Sequence, residues 1–255
     1  MSSSRVVITA AENFPLIRPG DDLPAIIVSA LRKQFGTLQG GDIVSVAQKI
    51  VSKAANRYLN LADIEPSATA RELADVTGKD PRFVEAVLGE SSAVLRAVPG
   101  ILIVEHRLGL IMANAGIDQS NIEHEPGERV LLLPEDPDAF CDRLKRYLDD
   151  EFGIFTGVVM TDSFGRPWRL GTTGVAIGSA GFPPLLSMIG KPDLFGRTLR
   201  ATEIALADQI AAAAVLVTGE ASEGQPVVLI SGLDWQPSDA GARALNRPKH
   251  QDLFR

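Results

Sequence analysis

Apolar residues recur along this chain in two rhythms, one short and strand-like and one with helical spacing. The run RVVITA (5–10) predicts a strand. In DDLPAIIVSALRKQFG (21–36), Leu23, Ile26, Ile27, Ala30, Leu31 and Phe35 share one face behind two aspartates and ahead of Gly36. That pattern predicts an amphipathic helix with both end signals. DIVSVAQKIVSKA (42–54) starts as a strand and passes into a polar, lysine-bearing segment. A helix is predicted over 66–78, with Thr69 and Glu72 as a capping box and Gly78 as its stop. Another is predicted over 80–91, with Asp80 as N-cap and Pro81 in its first turn.

GILIVEH (100–106) and GLIMANA (109–115) stand close enough to form a hairpin. VLLLP (130–134) reads as a strand, and 136–153 as a helix aligning Phe140, Leu144, Tyr147 and Leu148. Strands follow at 157–162 and 174–181, a long alanine-rich helix at 202–219, and a last strand at 226–231. The alanines at 211–214 permit close approach of a neighbouring element. The chain then divides into one domain over 1–235 and a polar C-terminal tail over 236–255. Hairpin pairing mixed with helix-connected strands argues for an α+β (mixed α/β) fold.

Composition narrows this picture. The 255 residues are 45% hydrophobic and 22% charged, enough for one large domain or two small ones with a substantial core. A formal charge of −7 argues against a general nucleic-acid binder. Cys141 is the sole cysteine, so neither an intramolecular disulfide nor a thiolate zinc site can form, and it reads as a passive core thiol. The N-terminus lacks the apolar core of a secretory signal, and no apolar run nears the roughly 18 residues needed to cross a bilayer. A soluble, cytoplasmic protein with no membrane partner is expected.

The chemistry is first bounded by absences. P-loop, dinucleotide and nucleophile-elbow motifs are missing. His106, His124 and His250 are the only histidines, and each reads as a surface or structural residue. What remains is a set of acids where apolar elements stop: Asp118 in MANAGIDQSN, Asp162 in VVMTDSFGR and Glu220 in VTGEASEGQP. Each stands among small residues that let a ligand approach the backbone. Taken singly, each is equally a turn residue or N-cap. Together, with Lys53, Arg166 and Arg169 interleaved, they form either a structural ion-pair cluster or the equipment of metal-assisted phosphoryl transfer.

Eight stretches then occur in a telling order: NFPLI (13–17), AQKIVSKAANR (47–57), ANAGIDQSN (113–121), LLLPEDPD (131–138), TDSFGRPWRLG (161–171), AIGSAG (176–181), DLFGRTL (193–199) and GEASEGQPVV (219–228). From about Phe14 to the terminal DLFR the chain resembles the coenzyme F420-0:γ-glutamyl ligase family. The resemblance implies a family-specific fold forming intertwined homodimers. It also implies GTP-dependent addition of L-glutamate to the side-chain carboxylate of coenzyme F420-0, through an acyl phosphate, with Mg²⁺ or Mn²⁺ and K⁺ required. Carried over by position, Asp118, Asp162 and Ser163 are metal ligands and Glu220 a further one. Asp118, Asp162 and Lys53 become the catalytic group. Lys53, Asn121 and the loop Phe14, Pro15, Leu16 and Ile17 become nucleotide contacts. The segment 219–226, with Gly219 and Gly224, becomes a loop at the nucleotide phosphates. Arg166 and Arg169 are candidates for the phosphodiester of the precursor.

Three positions depart from the family pattern. Ala55 and Ser187 stand where acids are common, and Ser231 where an arginine is common. They bear on which precursor is accepted and how many glutamates are added. Rival readings are a ligase of the same fold using another amino acid or a modified precursor, a GTP-binding protein without catalysis, and a metal-dependent phosphatase.

Overall fold

A computed structural model describes residues 5–122 and 129–252. The first half contains β1 (Val7–Ala10), α1 (Leu23–Phe35), β2 (Ile43–Ala47), α2 (Gln48–Ala54), β3 (Tyr58–Asn60), α3 (Ala68–Thr77), α4 (Pro81–Gly89), β4 (Ser91–Val98), β5 (Ile101–His106) and β6 (Ile111–Ala113). The second contains β7 (Arg129–Leu131), α5 (Pro137–Phe152), β8 (Gly157–Arg166), β9 (Arg169–Ala180), β10 (Leu185–Ser187), β11 (Glu203–Ala205), α6 (Leu206–Thr218) and β12 (Val227–Ser231).

The centre is a five-stranded sheet in the order β1-β12-β2-β8-β9. Its β2–β8 pair is parallel and the other pairs are antiparallel, so the α+β expectation holds. Ile43, Val44 and Val46 of β2 and Val158, Val159 and Met160 of β8 are all buried. Continuous burial is what parallel strands covered on both faces require. On one face, Leu23, Ile27 and Leu31 of α1 and Leu144 and Leu148 of α5 pack against Val44, Val46, Val158 and Met160. On the other, Leu206, Ile210 and Ala214 of α6 pack against Ile43, Val159, Val228 and Ile230. A separate core joins α3 and α4 to β5 and β7 through Phe83, Val84, Val87, Leu102, Val104 and Val130.

The alanine run does what its small side chains permit. A Cβ placed on Gly174 of β9 would stand 2.4 Å from the Ala211 carbonyl oxygen and 2.7 Å from the Val215 side chain. Helix and strand therefore meet backbone to backbone at this point.

Several expectations shift. The N-cap of α3 is Ser67, whose hydroxyl accepts from Ala70 N at 3.1 Å, rather than Thr69. Its own N–H donates to Glu85 of α4 at 2.8 Å, so the second half of the capping interaction comes from another helix and not from Glu72. The helix expected to reach residue 91 stops at Gly89, and β4 begins at once. Strands expected at 157–162 and 174–181 continue as one long hairpin that turns at Pro167 and Trp168. The helix expected from 202 starts at Leu206, because Glu203–Ala205 pair with β10.

The expected polar tail is tied down as far as residue 252. Just before it, at the last residue of the expected domain, Trp235 donates to the Gly41 carbonyl at 2.9 Å and packs on Phe155 and Phe182. Asp138 accepts from Ala242 N at 2.7 Å, and Lys249 pairs with Glu105 at 3.1 Å. His124 and the last three residues of DLFR lie outside the described residues.

Candidate functional site

The parallel pair β2–β8 creates the site by ending unevenly. Ala47 is the last residue of β2 to pair, opposite Thr161, and the chain then turns into α2. Strand β8 runs on, so Asp162 and Ser163 extend past the end of their neighbour. Beyond the carboxyl ends of these strands lies a crevice of about 410 Å³. Such crevices are the usual ligand positions of sheets with parallel strands.

Four segments and Asn121 form its walls: the loop Phe14, Pro15, Leu16 and Ile17; the first turns of α2 with Gln48, Lys49 and Lys53; Thr161, Asp162 and Ser163; and the end of α6 with the loop from Gly219 to Pro226. Asp118 stands behind this wall, held by two of the residues that line it. Its backbone exchanges hydrogen bonds with Leu131, 2.9 Å each way. Three consecutive left-handed residues, Asn114, Ala115 and Gly116 with φ of 52°, 53° and 65°, turn the chain from β6 towards it. Glycine and, to a lesser degree, asparagine adopt that conformation readily, so it is Ala115 that marks backbone strain adjoining the site.

The Asp118 carboxylate is gripped at both oxygens. Gln48 Nε2 donates to Oδ2 at 2.8 Å, and Lys49 Nζ lies 3.2 Å from Oδ1. Asp162 and Ser163 are successive residues of β8, and both line the crevice. Asp162, partly buried, lies near Asp118 and accepts from Ser163 N at 2.9 Å. The Ser163 hydroxyl donates to Glu220 Oε2 at 2.7 Å, where α6 has just ended. Asn121 Nδ2 donates to the Ala221 carbonyl at 2.9 Å and fixes the 219–226 loop, within which Ala221 N donates to Glu223 at 2.8 Å.

Negative charge outweighs positive here. Burial pushes the Asp162 carboxyl up to about 7, and the neighbouring Asp118 charge adds to the rise. Asp118 is itself raised by burial, with Lys49 and Gln48 opposing the shift. An acid raised by burial and by a neighbouring carboxylate at a crevice is a recurrent mark of a functional site. The donors are all oxygen: carboxylates from Asp118, Asp162 and Glu220, with the Ser163 hydroxyl. They fit a hard divalent cation. Among the described residues no three acid, histidine or cysteine side chains converge as a ready cage.

Asp118, Asp162, Ser163, Glu220, Lys53, Asn121, Gly219, Gly224 and Phe14 to Ile17 are thus gathered at or directly behind one crevice. Arg166 and Arg169 are not: they flank the hairpin turn at its exposed tip, outside the lining. Ala55, Ser187 and Ser231 also stand outside it. Gln48 and Lys49 belong to the site without having been singled out in the sequence. The available signal was the polar spacing of QKIVSK directly after an apolar strand. His106 is buried, with Nδ1 accepting from Leu108 N at 3.0 Å, and His250 lies on the surface. Cys141 is buried, and burial pushes its thiol well up, so it is a core residue. No helix among the described residues is long and apolar enough to cross a membrane.

The chain is similar to known proteins along nearly its whole length. A family model described as F420-0:gamma-glutamyl ligase matches residues 12–232. A coenzyme F420:L-glutamate ligase of Methanothermobacter thermautotrophicus is 42% identical over 252 residues, covering 98% of this chain and 99% of that one. The protein of the same name from Methanopyrus kandleri is 43% identical over 243 residues, covering 94% and 93%. That of Methanocaldococcus jannaschii is 36% identical over 255 residues, covering 100% and 99%.

Proposed function

The chain belongs to the F420-0:gamma-glutamyl ligase family, and from that premise we propose that it is a GTP-dependent ligase joining L-glutamate to the side-chain carboxylate of coenzyme F420-0. The observation that carries this reading is the acid pair Asp118 and Asp162, set against Lys49 and Lys53 and facing the 219–226 loop across one crevice. Phosphoryl transfer asks mainly for positioning and charge neutralisation, and this arrangement offers both.

Asp118, Asp162, Ser163 and Glu220 would hold Mg²⁺ or Mn²⁺, which when bound supplies charge neutralisation at the triphosphate. Lys49 and Lys53 meet phosphate charge from the α2 side. Asn121 keeps the 219–226 loop in place, and the wall of Phe14 to Ile17 shields the nucleotide from water. A carboxylate oxygen of F420-0 attacks the γ-phosphorus, the bond to the β-phosphate oxygen breaks, and GDP leaves. The α-amine of glutamate then attacks the carbonyl carbon of the acyl phosphate. Inorganic phosphate departs, the nitrogen loses a proton, and an amide remains. K⁺ is proposed as a further requirement.

A homodimer is part of the same proposal. Trp168 and Leu170 on one hairpin, and Leu194 and Phe195 on the arm after β10, are 86%, 99%, 92% and 93% exposed. Single apolar residues on a surface are ordinary, but two projecting tips of this kind suit a surface that a second copy covers. Light scattering should return twice the chain mass, and a single-chain mass would refute it.

The decisive experiment is mass spectrometry after incubation with verified F420-0, GTP, L-glutamate and Mn²⁺. The expected result is product heavier by whole glutamyl units, dependent on all four additions. Phosphate release without glutamate, or no mass gain, would overturn the reading.

A further inference from the structure

Asp118 owes its orientation to a short chain of side chains that the reaction scheme does not use. Gln48 Nε2 donates to Asp118 Oδ2 at 2.8 Å, and Ser52, one turn further along α2, donates from Oγ to Gln48 Oε1 at 3.1 Å. Gln48 is 2% exposed and Ser52 fully buried, so the bond between them is closed to bulk water, while the bond to Asp118 is partly shielded. An amide has a donor end and an acceptor end. With the Ser52 hydroxyl donating to Oε1, Nε2 is left to face the carboxylate; the reversed amide would set oxygen against oxygen.

The two groups on Asp118 differ in charge. Lys49 Nζ lies 3.2 Å from Oδ1, and its ammonium is repelled by any cation arriving at the acid pair. The Gln48 amide is neutral, so it can stay when a cation arrives. A carboxylate offers about four lone-pair directions, and one amide bond leaves most of them open.

We propose that Gln48, oriented by Ser52, is the positioning residue that keeps the Asp118 carboxylate in its cation-binding attitude, in both the free and the loaded state. This rests on the reading of Asp118 as a metal ligand. Groups that orient a ligand from behind typically change metal affinity about 10- to 100-fold when removed.

The test measures Mn²⁺ binding to the full chain without nucleotide, by the electron paramagnetic resonance signal of free Mn²⁺. Gln48→Met keeps the length and removes the amide; Ser52→Ala removes only the hydroxyl. Both should raise the Mn²⁺ dissociation constant, Gln48→Met by about 10-fold or more and Ser52→Ala by less. In an Asp118→Asn background Gln48→Met should add nothing, an outcome that a general loosening of α2 would not produce. Thermal melting without metal checks that each variant is folded, and Ser52→Ala carries the test if Gln48→Met is not. If Asp118→Asn weakens Mn²⁺ binding but the folded Gln48 and Ser52 variants do not, the positioning role is overturned and the metal site stands. If Asp118→Asn itself changes nothing, both fall.

Discussion

Two concentrations of charge are built into this fold, and they are balanced in opposite ways. Around Glu90, at the end of α4, one carboxylate meets two guanidinium groups, Arg57 at 3.0 Å and Arg107 at 3.1 Å, with His106 Nε2 at 3.6 Å. Arg57 also donates to Glu135 at 2.9 Å and to the Leu133 carbonyl at 3.0 Å. Burial raises the Glu90 carboxyl, but His106 and the two arginines outweigh it and hold the group below its usual range. Around Asp162 the balance is reversed: burial and Asp118 raise the carboxyl, and Lys49 only partly offsets them. The first cluster is complete in itself and ties α4 to the segments around it. The second has less positive charge than its acids call for, and it opens onto the crevice through which a cation could come. Charge balance, more than charge density, separates the structural cluster from the candidate site.

The sharpest way to break this contrast is Asp162→Asn. Ligase turnover should fall on the order of 10³-fold, as when one preorganised electrostatic group is removed from an active site. The metal-free protein should melt at a higher temperature, because a buried like charge has gone. A lower melting temperature would place Asp162 with Glu90 as a structural acid. The mirror experiment is Arg57→Ala, with side-chain exposures of 16% for Arg57 and 12% for Glu90 before the change. Removing one of the two guanidinium partners of this carboxylate, with Arg107 remaining at 3.1 Å, should cost about 2 kcal/mol of folding stability in denaturant titration. Mn²⁺ affinity of the folded protein should stay the same; a large loss there would mean that the clusters are coupled.

A smaller effect is expected from Lys49→Gln, which removes the main cation beside the acid pair. Mn²⁺ should bind about tenfold more tightly without nucleotide, the equivalent of roughly 1.4 kcal/mol, while GTP binds more weakly. Tighter binding of both would contradict a phosphate role for Lys49. The smallest effect is one of protons. The Asp162 carboxyl is raised from 3.8 to about 7 in the folded state. The metal-free fold therefore holds its proton more tightly than the unfolded chain does. The associated stability is fully present below pH 3.8 and is lost as pH rises through about 7. Calorimetry in buffers of different ionisation enthalpy should find up to one proton released on Mn²⁺ binding near pH 6.5, and almost none about two units higher. Asp162→Asn should abolish that release.

How much of this could be read from the chain depends on which force makes each part. The central strands and α1, α4 and α5 were legible because apolar burial and capping residues write them locally, as Asp22, Asp80 and Asp136 do at three helix starts. Strand β4 was not. SSAVLRAV lies largely towards solvent and is bulged twice against β5, so pairing rather than burial makes it a strand. The far half of the β8–β9 hairpin is equally hidden, its threonines, glycines and arginines exposed towards the tip and held mainly by the ladder. At the site, Asp118, Asp162 and Glu220 stood out because small residues surround each. Gln48 and Lys49 did not, because Gln48 meets Asp118 across a separation of 70 residues that only the fold closes.

Position 174 contributes no side chain, yet it acts as the spacer that sets the width of the site. Gly174 is the ladder partner of Ser163, and α6 rests on it at Ala211 before delivering Glu220 to the Ser163 hydroxyl. A single methyl group there would work like a shim under a lever. The helix would ride up at its middle, its far end would swing, and the 2.7 Å contact between the two walls would open although every reactive group remained in place.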